Sequence, residues 1–346
     1  MTTRPGRRCG LAAALVGTVA AGALAVPAIS ASAKSSTHAQ RPTAPSGYRV
    51  SVFARATTAF SNPDSLVVSG SDVFVGYQNV TAKDGSDGRS STVGEYTLGG
   101  KLRRTFSVPG HVDGLRQDPS TGLLWALSNE DANPRLTIID PVGGSTTGYT
   151  FGTPPHGGGY DDIAFLGGRV YLSASNPPDP NTFPAVVGAT LSGTSVLVTP
   201  VLMGNATATD LVSHTSVTLN LIDPDSLYVT RAGDLQLDNQ AGSELVFIHN
   251  PGPGQTVTRL PIGNQMDDTI LPTSPSGRLL VSDTPGGAVY SISSRHFDTS
   301  LYLSAAPQDS GVSGYVGLVS PTTGANTPLV TGMAGPHGEA FVPTHN

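Results

Sequence analysis

Asp113-Gly114-Leu115, Gly122-Leu123-Leu124-Trp125-Ala126-Leu127, Arg135-Leu136-Thr137-Ile138-Ile139-Asp140, the turn Pro141-Val142-Gly143-Gly144 and Thr147–Phe151 read together as one unit of four short strands. The apolar runs are brief, and Gly, Pro, Asn or Asp closes each one, which is strand-and-turn chemistry rather than helical periodicity. The order returns in Gly277-Arg278-Leu279-Leu280-Val281-Ser282-Asp283-Thr284, the turn Pro285-Gly286-Gly287 and Ala288-Val289-Tyr290-Ser291-Ile292, read as a second and third strand.

Each unit opens on an acid followed two places later by an apolar residue. The instances are Asp64-Ser65-Leu66, Asp113-Gly114-Leu115, Asp161-Asp162-Ile163, Asp225-Ser226-Leu227, Asp268-Thr269-Ile270 and Glu339-Ala340-Phe341. Three spacings are 49, 48 and 43 residues, and two are longer, 64 and 71. The surplus is assigned to loops around Gly204–Thr218 and Ser294–Gly314. A four-stranded unit of about forty to fifty residues, repeated, is a propeller blade. A β-helix has a far shorter period, and a sandwich has no reason to repeat. The expectation is an all-β chain, a β-propeller of six four-stranded blades, with five or seven compatible with the irregular spacing. The last acid lies close to the C-terminus, so the ring is expected to close by pairing of the N- and C-terminal strands, with Tyr48–Phe53 as the N-terminal partner.

The front of the chain reads as an export signal. Arg4, Arg7 and Arg8 precede an uncharged run from Leu11 to Ile29, and Ala31-Ser32-Ala33 supplies a small-x-small cleavage pattern. Residues 1–33 are therefore expected to be a signal peptide of the Sec type, or of the twin-arginine type that Arg7-Arg8 faintly suggests. Residues 34–46, rich in Ser, Thr, Pro and Gln, form a flexible lead, and 47–346 a single domain. The expected location is extracellular, with no membrane span in the mature protein and a monomeric state.

The only cysteine is Cys9, inside the signal. The mature chain then has no disulfide, thiolate metal site or cysteine nucleophile. The formal charge of −6 becomes more negative when the signal arginines are lost, which disfavours nucleic acid and anionic membranes and favours a cation, a small molecule or a glycan.

The first strand of a blade lines the central channel, so the six acids are expected to converge on one mouth. Histidine accompanies three of them: His111 before Asp113, His156 before Asp161, and His337 before Glu339. Carboxylates about 10 Å apart repel by roughly 2 kcal/mol at an effective dielectric near 20. Arg116 and Arg231 are too few to balance them. A divalent metal (Ca, Mg, Mn or Zn) held by His111, Asp113, Asp161, His337 and Glu339 would, with Asp64, Asp225 and Asp268 as further mouth acids. His156, followed by three glycines, is the candidate catalytic base. The competing reading makes the acids structural, each accepting backbone N–H groups and pinning one blade to the next; it applies most to Asp64 and Asp225. Asn129-Glu130-Asp131 reads as added ligands or a turn, and Lys83–Gly88 as an exposed loop. No nucleophile elbow, haem or quinone attachment motif or nucleotide-binding loop is present.

Leu280-Val281-Ser282-Asp283-Thr284 and Leu136-Thr137-Ile138-Ile139-Asp140-Pro141 resemble strand signatures of the gluconolactonase-like and NHL-type propellers. That resemblance implies the propeller fold, a metal held by a Glu of an early blade, an Asn and an Asp, and hydrolysis of sugar lactones. This chain departs from it in carrying Asp64 where the early Glu would lie. His337-Gly338-Glu339 and His111-Val112-Asp113 are similar to the His and Glu pairing beside the magnesium of the virginiamycin B lyases. The function expected is a metal-dependent hydrolase or lyase acting on a small polar or cyclic, lactone-like substrate. The alternative is a non-catalytic extracellular binding propeller.

Overall fold

The computed structural model describes residues 41–308 and 312–344, and the expected signal peptide, Cys9 and residues 34–40 of the lead lie outside them. Within the lead, Thr43 makes an antiparallel bridge with Thr331. The chain then enters β1 (Tyr48–Arg55). The strands β2 (Pro63–Ser69), β3 (Asp72–Tyr77), β4 (Ser90–Thr97) and β5 (Leu102–Pro109) form a four-stranded antiparallel sheet. The next four, β6 (Val112–Gln117), β7 (Leu124–Ser128), β8 (Arg135–Ile139) and β9 (Thr146–Phe151), repeat it within a residue or two of the expected strands. They join β10 (Ile163–Leu166), β11 (Arg169–Ser173), β12 (Pro184–Ser192) and β13 (Ser195–Met203) in one eight-stranded sheet, through a short parallel contact of β9 with β13.

Two departures from the sequence reading follow. The segment assigned to a loop over 204–218 contains the hairpin β14 (Thr207–Asp210) and β15 (Ser216–Thr218). This hairpin extends the sheet of β16 (Pro224–Val229), β17 (Leu235–Asn239), β18 (Glu244–His249) and β19 (Thr256–Pro261), because Thr and Val favour strands when an edge is open to pairing. The second concerns the end of the chain. The two-residue β20 (Thr269–Ile270) does not pair with β21 (Gly277–Asp283) and β22 (Ala288–Ser294). It pairs with β23 (Tyr302–Ala306), which continues into β24 (Tyr315–Val319) and β25 (Asn326–Thr331). The β21–β22 hairpin instead joins β26 (Pro336–Pro343) and β1 in the order β1-β22-β21-β26. The first and last strands therefore share a sheet but lie at its two edges and do not pair with each other.

No helix occurs among the described residues, and none is long and apolar enough to cross a membrane. The sheets fit a β-propeller. Their faces pack on one another: Ala164, Val186 and Leu202 lie against Leu227, Leu237 and Val246 of the following sheet, and Phe74 and Val93 against Leu115 and Leu124. Each such leucine, removed from water, contributes about 2 kcal/mol. Trp125 of β7 meets Phe165 of β10 edge-to-face at 5.4 Å, as a lone core tryptophan should.

Candidate metal centre

The recurrent acid of the sequence is a β-bulge. Three residue steps from Pro63 to Leu66 on β2 face two on β3, and the same extra residue stands between Val112 and Leu115, Pro224 and Leu227, and Pro336 and Glu339. An extra residue in one strand re-aims the side chains at that point. Ahead of β10 and β20 a related step occurs. Asp161 N–H donates to Ser173 O and Ser173 N–H to Asp162 O; Asp267 N–H donates to Ala305 O and Ala305 N–H to Asp268 O. The first residue of each step is Asp64, Asp113, Asp161, Asp225, Asp267 or His337, and all six border one cavity of about 170 Å³.

This register corrects two sequence assignments. Aligning an acid with the apolar residue two places on put Asp268 and Glu339 in the leading positions, whereas the backbone puts Asp267 and His337 there. Asp268 takes the second position, still bordering the cavity. It accepts the N–H of Thr269 (3.0 Å) and of Glu339 in the neighbouring sheet (2.8 Å). Asp162 does the same with Ile163 (2.7 Å) and Leu227 (2.9 Å). These two acids perform the pinning that the sequence reading gave to Asp64 and Asp225. Both members of each Asp-Asp pair reach the cavity, because they precede their strands and the alternation of strand side chains does not apply to them.

Glu339 occupies the place held by Leu66, Leu115 and Leu227 in other units. It is 3% exposed, and neither carboxylate oxygen has a hydrogen-bond partner. Burial first, then Asp268 and Asp238, holds its carboxyl well above the usual range. In the second position, Gly114 and Gly338 allow sheets to meet: an added Cβ would lie 2.2 Å from Asp161 O and 2.5 Å from Asp64 O, respectively.

His111, Asp113 and Glu130 bring one ligand atom each to within 4.8 Å of one another. Asp113 is turned in by the bulge of β6. His111 is fixed from both sides by Asn129, whose Oδ1 accepts His111 N–H (2.9 Å) and whose N–H donates to His111 O (2.7 Å). That exchange places Glu130, the next residue, beside the histidine. The ring of His111 has a defined tautomer. Thr81 Oγ1 donates to Gln78 O (2.6 Å) and so offers only a lone pair to His111 Nδ1 at 2.8 Å; Thr81 O lies 3.0 Å from the same nitrogen. Both neighbours accept, so Nδ1 carries the proton and Nε2 of the neutral ring a lone pair. Nε2 has no partner and lies 3.5 Å from Asp113 Oδ1. Asp113 Oδ1 accepts the amide of Gln78 (2.7 Å), while Oδ2 is unpartnered. Burial pushes the His111 pKa down, against the pull of Glu130 and Asp64, which favours the neutral, ligating ring.

The charges around the cavity do not balance. Burial, then Glu130 and Asp64, holds Asp113 well above the usual carboxylate range, and burial, then Glu130 and Asp113, does so for Asp161. Asp225 is raised by burial and by Asp161. Two carboxylates whose oxygens lie within 4.8 Å of one another repel by about 3 kcal/mol or more at an effective dielectric near 20. Of the two permanent cations on the cavity wall, Arg116 is bonded to Asp162. Lys83 is bonded to Glu130. His337, whose Nδ1 faces Gly335 O at 2.8 Å, directs Nε2 to Asp267 Oδ2 at 3.7 Å. Asp267 and Asp64 raise its pKa in spite of burial. A buried neutral imidazole beside the unpartnered Oδ2 of Asp113 and the carboxylate of Glu130, with its other nitrogen donating to a carbonyl, is a donor set that fits a divalent cation.

The remaining candidates lie elsewhere. His156 is 5% exposed and is not on the cavity wall; its Nε2 bonds Gly159 O (3.0 Å) and its ring packs on Tyr160. The glycines after it let backbone approach backbone rather than a ligand: Gly159 N–H donates to Glu130 O (2.6 Å), and a Cβ there would lie 2.2 Å from Asn129 O. Arg231 bonds Pro272 O. Asp234, His249 and Thr258 do form a chain, at 2.9 and 3.0 Å, but just before β17 and on β18 and β19, off the cavity wall, where it ties β18 to β19. Glu130 stood in a stretch read as added ligands or a turn, and Gln78, Thr81 and Lys83 carried no repeat signal, because a loop between strands two and three of a unit is free to vary.

No protein-family model matches the chain. Human protocadherin-16 is 26% identical over 243 residues, 70% of this chain and 6% of that protein, so the chain spans a small fraction of it. Among solved structures, a structural-genomics target ascribed to the gluconolactonases is 12% identical, with 84% of this chain and 83% of that one covered and a TM-score of 0.46. A Bacteroides uniformis protein ascribed to the 6-phosphogluconolactonases is 12% identical over 80% and 73%, with a TM-score of 0.41. An inactive variant of Staphylococcus aureus virginiamycin B lyase, solved with quinupristin, is 10% identical over 71% and 99%, with a TM-score of 0.37. Gluconolactonase-like proteins and a virginiamycin B lyase, groups that short phrases of this chain resemble, thus occur among its structural neighbours.

Proposed function

We propose that the protein is a secreted, six-bladed propeller that binds a divalent cation through His111, Asp113 and Glu130 and acts as a hydrolase or lyase on a small polar or cyclic, lactone-like substrate. The six-blade reading is supported by the succession of innermost strands. β2 touches β6, β6 touches β10, β10 touches β16, β16 touches β20, β20 touches β26, and β26 returns to β2. The observation that carries the cation is the tautomer of His111: its Nε2 lone pair has no partner and lies beside Asp113, whose Oδ2 is also unpartnered.

A divalent cation in that place would polarise a carbonyl oxygen and acidify a bound water. The residues of the chain do the rest. The mouth acids Asp64, Asp161 and Asp225 accept hydroxyl hydrogens and so select a neutral polyol-like ligand over an anion. His337 Nε2 and Asp267 Oδ2, 3.7 Å apart in the cavity wall, keep protons available where a substrate would touch. His156 has no part in this chemistry and serves to anchor the loop behind Glu130.

The test is elemental analysis of protein secreted natively and purified without chelator or affinity His-tag. About one equivalent of Ca, Mg, Mn or Zn, lost in His111→Ala while the fold is retained, supports the site. Lactones and cyclic esters are then screened with the loaded protein. Absence of metal, together with a melting temperature indifferent to chelator and to added cations, would sink the reading. A loaded protein that turns over none of the esters would leave a binding propeller.

A further inference from the structure

The loop between β3 and β4 touches all three residues of the cation site. Gln78 donates to Asp113 Oδ1 (2.7 Å), Thr81 fixes the His111 tautomer, and Lys83 Nζ bonds Glu130 Oε1. The loop is itself tied to the segment that carries Glu130: Asp131 N–H donates to Lys83 O (3.2 Å) and the Asn133 amide to Asp84 O (3.2 Å). Lys83 is the permanent cation of the cavity wall that is not bonded to Asp162. Its side chain is more than half exposed, at 58%, so the ammonium has room to leave.

We infer that Lys83 is a tethered counter-ion that competes with the divalent cation for Glu130, so that loading the site exchanges a +1 charge of the chain for the ion and releases the lysine into the cavity mouth. The inference rests on the cation reading above. Two like charges cannot share one carboxylate at hydrogen-bond range without a large Coulomb cost, and the flexible member of the pair is the lysine. Lys83 thereby sets the affinity of the site and its threshold for the ion, while Gln78 and Thr81, five and two places earlier in the same loop, hold Asp113 and His111 in either state.

The experiment is calorimetric titration of the full secreted protein, freed of metal by chelator and dialysed, with Ca, Mg, Mn and Zn salts in turn. Wild type is compared with Lys83→Met and Lys83→Arg. Removing the competing charge tightens binding of the preferred ion by at least about tenfold in Lys83→Met, while Lys83→Arg stays within about threefold of wild type. A second readout follows the amine itself: Lys83 becomes more reactive to an acylating label when the ion is added. Equal or weaker binding by Lys83→Met, or labelling that does not rise with the ion, overturns the inference and leaves the cation site standing. Absence of binding by both wild type and Lys83→Met overturns the inference and the cation reading together.

Discussion

Replacing Asp267 by Asn should flatten the fall of stability with pH. Asp267 Oδ2 accepts the amide of Gln240 at 2.9 Å and lies 3.7 Å from His337 Nε2. Burial first, opposed by His337 and reinforced by Asp64 and Asp268, pushes its pKa up to about 8. Near neutral pH the native carboxyl keeps a proton that the unfolded chain, with a pKa near 4, has lost. The native state then binds the extra proton, so stability declines as pH rises, by about 1.4 kcal/mol per pH unit between roughly pH 4 and pH 8. His337 acts in the same sense. Its raised pKa gives a contribution present below its unfolded value and lost as pH rises through the native one. Asp162, pushed up to about 6 by burial in spite of Arg116, adds to the slope only in its lower part. From about pH 5 to about pH 7, Asp267 alone accounts for about 2.7 kcal/mol. Urea unfolding at fixed ionic strength, with chelator present, measures the slope in wild type and variant. Asn keeps an oxygen for Gln240, so the variant folds and loses the slope of about one proton. A wild-type stability that is flat or rises over that range, or an unchanged slope in Asp267→Asn, would refute the reasoning.

Three other outcomes follow from the same geometry. Arg116→Met strips Asp162 of its buried partner and should cost about 3–5 kcal/mol by urea unfolding; Asp162→Asn in the same chain recovers part of it. Gly114→Ala pushes a Cβ to 2.2 Å from Asp161 O and should lower stability by about 2 kcal/mol or more, with a thermal melt as the check. His156→Ala should lower the melting temperature, at a cost of about 2–3 kcal/mol, while leaving the metal stoichiometry as in wild type, because the ring anchors Gly159 O and does not touch the cavity.

Much of this architecture is written in local chemistry. Strand edges around Leu124–Ser128, Arg135–Ile139 and Gly277–Asp283 follow from apolar alternation and Gly or Pro turns, which depend on neighbours in the chain. The repeated acid is likewise local, since each bulge is built within four residues. Asp64, Asp113, Asp161 and Asp225 therefore fall in the leading position that their spacing suggested.

The sequence alone determined that this is a repeated four-stranded β chain whose unit starts carry acids and histidines. Tertiary structure decided the rest. Which of Asp267 and Asp268, or His337 and Glu339, faces the cavity depends on backbone pairing with β23 and β21, strands that begin about thirty-five residues after Asp267 and sixty before His337. Whether the β21–β22 hairpin joins β20 or β26 is a competition between sheets that no local pattern encodes. Glu130, Thr81 and Lys83 became part of a site only because two loops, from different units, are stitched over the same mouth. Ligand sets are assembled by distance in space, and a repeat records only what every unit must do alike to fold.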